Sequence, residues 1–234
     1  MKKFEFTGET KTLLDGTILH RIKAVVEIKI GIFTVKVDDL GGWLEKDANL
    51  CQEGDAWVFG DASVFGDASV SGNARVSGDA SVSGNASVSG NARVSGDAWV
   101  FGDARVFGDA WVFGDARVFG DARVFGNAWV FGDARVFGDA RVFGDAWVSG
   151  NASVSGDASV LKTEHYMVMG PMGSRNAFTT FFRNKDGIIK VACGCFFGDV
   201  HEFLAKVEKN HGDNKCARVY RAAVQVALEQ LDAE

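Results

Sequence analysis

The sequence predicts a mainly β protein: a left-handed parallel β-helix of six coils, an N-terminal β cap before it, and a C-terminal α+β domain after it. Three observations carry this. Residues 54–161 are eighteen unbroken copies of Gly-(Asp/Asn)-Ala-x-Val-(Phe/Ser), the last ending in Leu161 instead. Residues 1–53 hold short alternating apolar stretches. Residues 162–234 lose the period and acquire turn and helix-capping signals.

The repeat is the strongest signal, because a fixed internal period decides the architecture before any local propensity does. A period of six, with one short strand and one corner per copy and three copies per coil, is that of a left-handed β-helix. Eighteen copies make six coils, about 29 Å long at roughly 4.8 Å per coil. Side chains alternate along a strand, so either Ala and Val point inward or x and the sixth residue do. Position x is Arg in seven copies, and seven guanidinium groups cannot be buried in a narrow prism. Ala and Val therefore fill the interior, each buried Val contributing about 1.5–3 kcal/mol. Gly and Asp/Asn form the corners, where positive φ is tolerated. The thirteen corner Asp are read as corner formers rather than a Ca²⁺ site, since the Gly-rich nonapeptide of such sites is absent.

Before the repeat, Thr17–Val26 and Ile30–Val35 read as strands, with turns at Asp15-Gly16 and Asp39–Gly42. Trp43 and Leu44 are expected to plug the open end of the prism, because solenoids need caps. After it, His165–Met169, Ala177–Arg183 and Ile188–Cys193 read as strands, with a turn at Asn184–Gly187. Asp199 with Glu202 three residues on is a capping box for a helix reaching about Lys209. Asn214 caps a last helix whose apolar side is expected to carry Val219, Ala222, Ala223, Val226 and Leu231.

Composition bounds function. Net charge is −6, which disfavours nucleic acid and anionic membrane as partners. No apolar run reaches membrane length and no signal peptide is visible. Four cysteines, unevenly placed, do not make a disulfide framework and are expected to be free thiols in a reducing cytoplasm.

The outer face carries the functional information. Coils three to five display eight Phe with Trp99, Trp111 and Trp129 among six Arg, on a solenoid otherwise coated largely with Ser. Residues three copies apart stack. One face should hold Trp111, Trp129 and Trp147 with Phe113 and Phe131, the expected oligomer interface. A second should hold Trp99, Arg117 and Arg135. The third should hold Arg105, Arg123 and Arg141 with Phe107 and Phe125, an expected ligand-binding column. So large an apolar band exceeds what a soluble monomer usually exposes, and closed cyclic assembly is the default for identical chains. Stacked guanidinium groups repel by about 0.9 kcal/mol per neighbouring pair even in water. They are relieved by splaying, by stacking on Phe, by pairing with corner Asp, or by an anion.

The segment Asp39-Leu40-Gly41-Gly42-Trp43-Leu44-Glu45, followed by Asn49-Leu50 and Gln52-Glu53-Gly54, resembles the start of a hexapeptide-repeat family found in bacteria and their phages. The C-terminal segments Gly170–Arg175 and Cys193-Gly194-Cys195-Phe196 resemble the tail of many phage-associated repeat proteins. The resemblance implies architecture, assembly as a homotrimer, and host cytoplasm for a phage-encoded chain; it implies no activity. Many β-helices of this kind are acyltransferases with a His near a subunit boundary and loops breaking the repeat, and γ-class carbonic anhydrases on the same helix need three His. Residues 47–161 hold no His and no interrupting loop, so no catalytic residue is assigned to the solenoid. Ice binding would call for flat rows of Thr.

The C-terminal region offers a second ligand site. Gly173, Ser174 and Arg175 in a Gly-rich turn, with Thr179 beyond, could cradle phosphate through N–H groups, hydroxyls and one guanidinium, against a neighbouring chain. Cys193, Cys195, His201, His211 and Cys216 lack the spacing of a zinc site, and no metal or cofactor is expected. The expected function is a non-catalytic oligomeric binding or scaffold protein for a small nucleotide-like anion. The rivals are a transferase using Ser174, Arg175 or His201, and a purely structural rod or virion component.

Overall fold

The computed structural model describes residues 2–231. It is mainly β: a parallel β-solenoid of about seven turns, N-terminal strands, and a C-terminal domain of two helices on an antiparallel sheet. Eighteen two-residue strands, each the x-Val pair of one copy, run from Trp57–Val58 to Ser159–Val160 and stack in three parallel sheets. Every Ala and Val of the repeat is buried. Successive coils are tied by backbone bonds such as Arg105 N–H to Ala122 O at 2.9 Å and Phe107 N–H to Val124 O at 3.0 Å.

The corners depend on glycine alone. Gly102 sits at φ +73°, and a Cβ there would lie 3.0 Å from the backbone N of Gly120 one coil on. The Asp and Asn beside these glycines keep negative φ, correcting the expectation that both corner residues take the left-handed region. Four corner Asn instead donate to the residue one coil on, as Asn127 Nδ2 does to Asp145 Oδ1 at 2.9 Å.

The parallel ladder begins before the first copy. Strands β1 (Phe4–Thr12) and β2 (Ile18–Ala24) form a hairpin, and β3 (Ile28–Ile30) pairs with β4 (Phe33–Val35). The Ile30–Val35 stretch is thus a hairpin about Gly31-Ile32, not one strand. β5 (Leu40–Leu44) covers residues expected to turn and pairs antiparallel with β2 on one edge and parallel with the solenoid on the other. Leu44 lies opposite Val64 and Leu50 opposite Val70, so both continue the Val column and add the extra turn. Trp43 lies opposite Ser63 and so is on the outer face, covered by Lys11 and Arg21; of the two expected plugs Leu44 alone enters the prism, in the same core cluster as Leu50 and Ile22.

The lead-in residues have individual reasons. Gly42 stands at the Ala register, where a Cβ would come within 2.5 Å of Ala62 O. Buried Asn49 donates to Gly66 O and Ala68 O and accepts from Lys46 N–H, satisfying two corner carbonyls. Gln52 Oε1 accepts from Lys3 N–H at 2.8 Å.

With the repeat strands numbered β6 to β23, four more follow: β24 (Tyr166–Met172), β25 (Ala177–Arg183), β26 (Ile189–Cys193) and β27 (Phe196–Asp199), paired antiparallel in that order. β25 is buried on both faces. Phe182 joins the solenoid core while Phe181 joins the core beneath the helices. Tyr166 Oη and Thr180 Oγ1 accept from Ser149 N–H and Ser153 N–H, closing open hydrogen-bonding groups of the last coil. Helix α1 (Val200–His211) starts in the expected Asp199/Glu202 capping box. Helix α2 (Lys215–Leu231) is capped by Asn214 Oδ1 accepting from Ala217 N–H. Its buried face is Ala217, Tyr220, Ala223, Val224, Ala227 and Leu231. Ala222 and Val226, expected inside, are exposed, because Tyr220 takes the place against α1 and rotates the buried face. Among the described residues no helix is long and apolar enough to cross a membrane.

Candidate functional site

Two candidate sites were legible in the sequence, and the structure treats them differently. On the solenoid, Arg105, Arg123 and Arg141 do stack on one face, in register. Phe107 and Phe125 stack beside them with ring centroids 4.9 Å apart. Trp111, Trp129 and Trp147 form the expected column at 4.9 and 5.0 Å, with Phe113 on Phe131 at 5.0 Å. These spacings equal the rise between coils, so the ladders follow directly from the repeat. The eight Phe of coils three to five are half-buried by one another rather than fully displayed, while Trp99 and Trp147 remain about half exposed. Arg93 and Arg117 relieve part of the cationic crowding by lying over Trp111 and Trp99. Among the described residues none of the Arg on coils three to five has an ion-pair partner, and the Arg105–Arg123–Arg141 column lines none of the main cavities. This is a flat laddered surface, not a pocket.

The C-terminal residues do converge on a cavity. It has a volume of about 300 Å³ and lies within one chain, between the β24–β25 turn, the β26–β27 turn and the helices. Ser174 and Arg175 come from the first turn, Cys193, Gly194, Cys195 and Phe196 from the second. Helix α1 supplies Phe203, Lys206, Val207, Asn210 and His211, and Tyr220 comes from α2. Residues 203, 206, 207, 210 and 211 share one face at the 3.6-residue period, a stripe that starts aromatic and ends polar. That change of polarity was readable in the sequence; it marks Lys206 and Asn210, which motif reasoning missed, and His211, which was weighed only as a metal ligand.

Two cations, Arg175 and Lys206, line this cavity together with His211, and among the described residues no Asp or Glu belongs to the lining. Lys206 Nζ lies 5.6 Å above the Phe196 ring. Phe203 meets Tyr220 edge to face at 5.4 Å, and the His211 ring is 5.9 Å from Tyr220. Burial first, then the neighbouring Cys193, pushes the Tyr220 phenol up to about 12, so it stands as a neutral O–H near neutral pH. Gly173 does not line the space but permits it: at φ +71°, a Cβ would fall 1.9 Å from Tyr220 Oη. Gly170–Met172 belong to β24, so the turn proper is Gly173–Asn176.

Two residues expected here stand elsewhere. Thr179 is buried in β25 and donates to Cys193 Sγ at 3.2 Å, behind the cavity wall rather than in it. His201 is exposed at the start of α1 and is absent from the lining that holds Ser174 and Arg175. All four cysteines are free thiols, and among the described residues no three His, Cys, Asp or Glu side chains gather where they could hold a metal ion.

The solenoid matches a known repeat. Residues 68–84, 86–102, 116–132 and 134–150 match the YdcK beta solenoid repeat, all within the eighteen-copy region. The similarity therefore describes the rod and leaves the cap and the C-terminal cavity undescribed. No curated protein matches the chain.

Proposed function

We propose that this chain is a non-catalytic binding protein for a small, flat, anionic ligand of the nucleotide class, held in the C-terminal cavity and carried on an oligomeric solenoid. The observation that supports it is the combination of Arg175, Lys206 and His211 with Phe196, Phe203 and Tyr220 around a cavity of about 300 Å³ whose lining has no carboxylate. Guanidinium and ammonium groups grip phosphate, and aromatic faces stack on bases. A volume of this size is at the small end of ligand sites and suits a mononucleotide-sized molecule. Sequestration of a nucleotide messenger by a phage protein in the host cytoplasm agrees with the resemblance of the lead-in and tail segments to phage repeat proteins.

The laddered faces take the second role in this reading. Trp111, Trp129 and Trp147 with Phe113 and Phe131 form the contact between chains of a homotrimer. The Arg105, Arg123 and Arg141 column, being flat, is better suited to a partner surface than to a small molecule.

Titration calorimetry with a panel of mononucleotides and cyclic dinucleotides tests the ligand. Binding by at least one is expected, and Arg175→Ala should weaken it by about tenfold or more, since a charge-assisted bond contributes about 1.5–3 kcal/mol. Absence of binding across the panel, or binding indifferent to Arg175→Ala, overturns the reading.

A further inference from the structure

Two of the four cysteines, Cys193 and Cys195, line the same cavity, two residues apart. Zinc does not account for them, since no third ligand stands with them among the described residues. Cys195 sits with Gly194 in the two-residue turn closing the β26–β27 hairpin, where Cys193 pairs with Phe196. Gly194 is at φ +60°. Consecutive Cα atoms are about 3.8 Å apart, so alternate ones in a bent turn are about 5–6 Å apart, inside the span a disulfide bridges.

The two thiols differ in a way that orders their chemistry. Cys195 is exposed and reachable from solvent. Cys193 is half-buried, accepts a hydrogen bond from Thr179 Oγ1 at 3.2 Å, and has the Tyr220 hydroxyl within 4.0 Å. Arg175 reaches over this turn, its Nη1 lying 3.5 Å from where a Gly194 Cβ would be. A small disulfide entering the cavity therefore meets Cys195 first, beside cations that favour carboxylates.

We propose that Cys193 and Cys195 form a reversible dithiol/disulfide couple at this cavity, whose co-reactant is a small disulfide bearing carboxylates. The Cys195 thiolate attacks one sulfur of that disulfide; its S–S bond breaks, a mixed disulfide forms on Cys195, and one small thiolate leaves and takes up a proton. Cys193 then loses its proton and attacks the Cys195 sulfur, forming the Cys193–Cys195 bond and releasing the second small thiol. The protein loses two electrons and two protons, and the small disulfide gains both. This goes beyond the nucleotide reading and does not depend on it, since nucleotide binding is measured on the reduced protein.

The test treats the reduced full-length protein with oxidised glutathione, traps it with acid, and reads intact mass and a peptide map. The expected product has lost two hydrogens and links Cys193 to Cys195, while Cys51 and Cys216 stay reduced. Cys193→Ser should stop at a glutathione adduct on Cys195. Arg175→Gln with Lys206→Gln should slow the reaction with oxidised glutathione about tenfold more than that with neutral bis(2-hydroxyethyl) disulfide. A stable adduct on Cys195 in the unsubstituted protein, equal reaction at Cys51 or Cys216, or the same slowing with both disulfides overturns the proposal. The wild-type map decides the bond even where a variant folds poorly.

Discussion

Single residues hold this protein together where the repeat cannot. Lys3 is the clearest case. Its ammonium is nearly enclosed and donates to Gly54 O and Ala56 O, clamping the N-terminal strand to the first corner. Burial, against the pull of Cys51 and Asp55, brings it down from 10.5 to about 8. The unfolded chain keeps that proton to higher pH, so between about 8 and 10.5 the unfolded state binds more protons. Stability should therefore rise with pH through that window, the cost of burying the charge being fully present below it. Urea unfolding across this range, compared with Lys3→Met, checks the sign. The variant should lose the rise, and a wild-type stability that falls relative to the variant contradicts the assignment. Asn49 and Gly42 act on the same scale, one satisfying corner carbonyls and the other leaving room for them.

At the scale of elements, each end of the solenoid is closed by a different device. At the N-terminal end, β5 is both an antiparallel partner of β2 and the first parallel rung. At the other end, β25 lays Phe182 against the core of the last coil and Phe181 against the helices. An open coil would expose Val154 and Val160 and leave backbone donors without partners. Phe182→Ala should therefore cost about 3–5 kcal/mol and raise amide exchange first in the last coil. Uniform exchange along the rod would show that β25 is an appendage rather than a seal. The aromatic ladders belong to this scale too. Seven stacked pairs, between Phe or between Trp one coil apart, run along the solenoid. Each adds about 0.5–1.5 kcal/mol beyond area burial. The ladders are part of the fold even before any partner covers them.

For the whole molecule, the question is how much of that outer surface stays in water. Stacking hides one face of each ring but leaves edges and the half-exposed Trp99 and Trp147. Solvent-facing Arg on coils three to five have no ion partner among the described residues, and the corner Asp beside them are exposed. The trimer proposed above would cover the aromatic part of this surface. Light scattering at two protein concentrations should give a multiple of the chain mass, and Trp111→Ser with Trp129→Ser should lower it. A monomer at both concentrations would contradict the interface and leave the rod with its ladders facing solvent.

The rod was legible in the sequence because its period and its inward side chains follow from local rules: strand alternation, the size of Ala and Val, and the Gly corner. The stacking partners followed by arithmetic, since residues eighteen apart must meet. The capping box of α1 was legible for the same reason, being a contact between residues three apart. The cavity was only half legible. Ser174 and Arg175 stood out as a turn, but Lys206, His211 and Tyr220 come from helices whose placement depends on packing. Tyr220 against Gly173 and Phe203 turned the buried face of α2 away from Val226, and the β25 strand hid Thr179. Local periodicity decides which residues can share a face. Only the packing of one element on another decides which of those faces enclose a space, and that is where this protein places its cations, its aromatic walls and its two thiols.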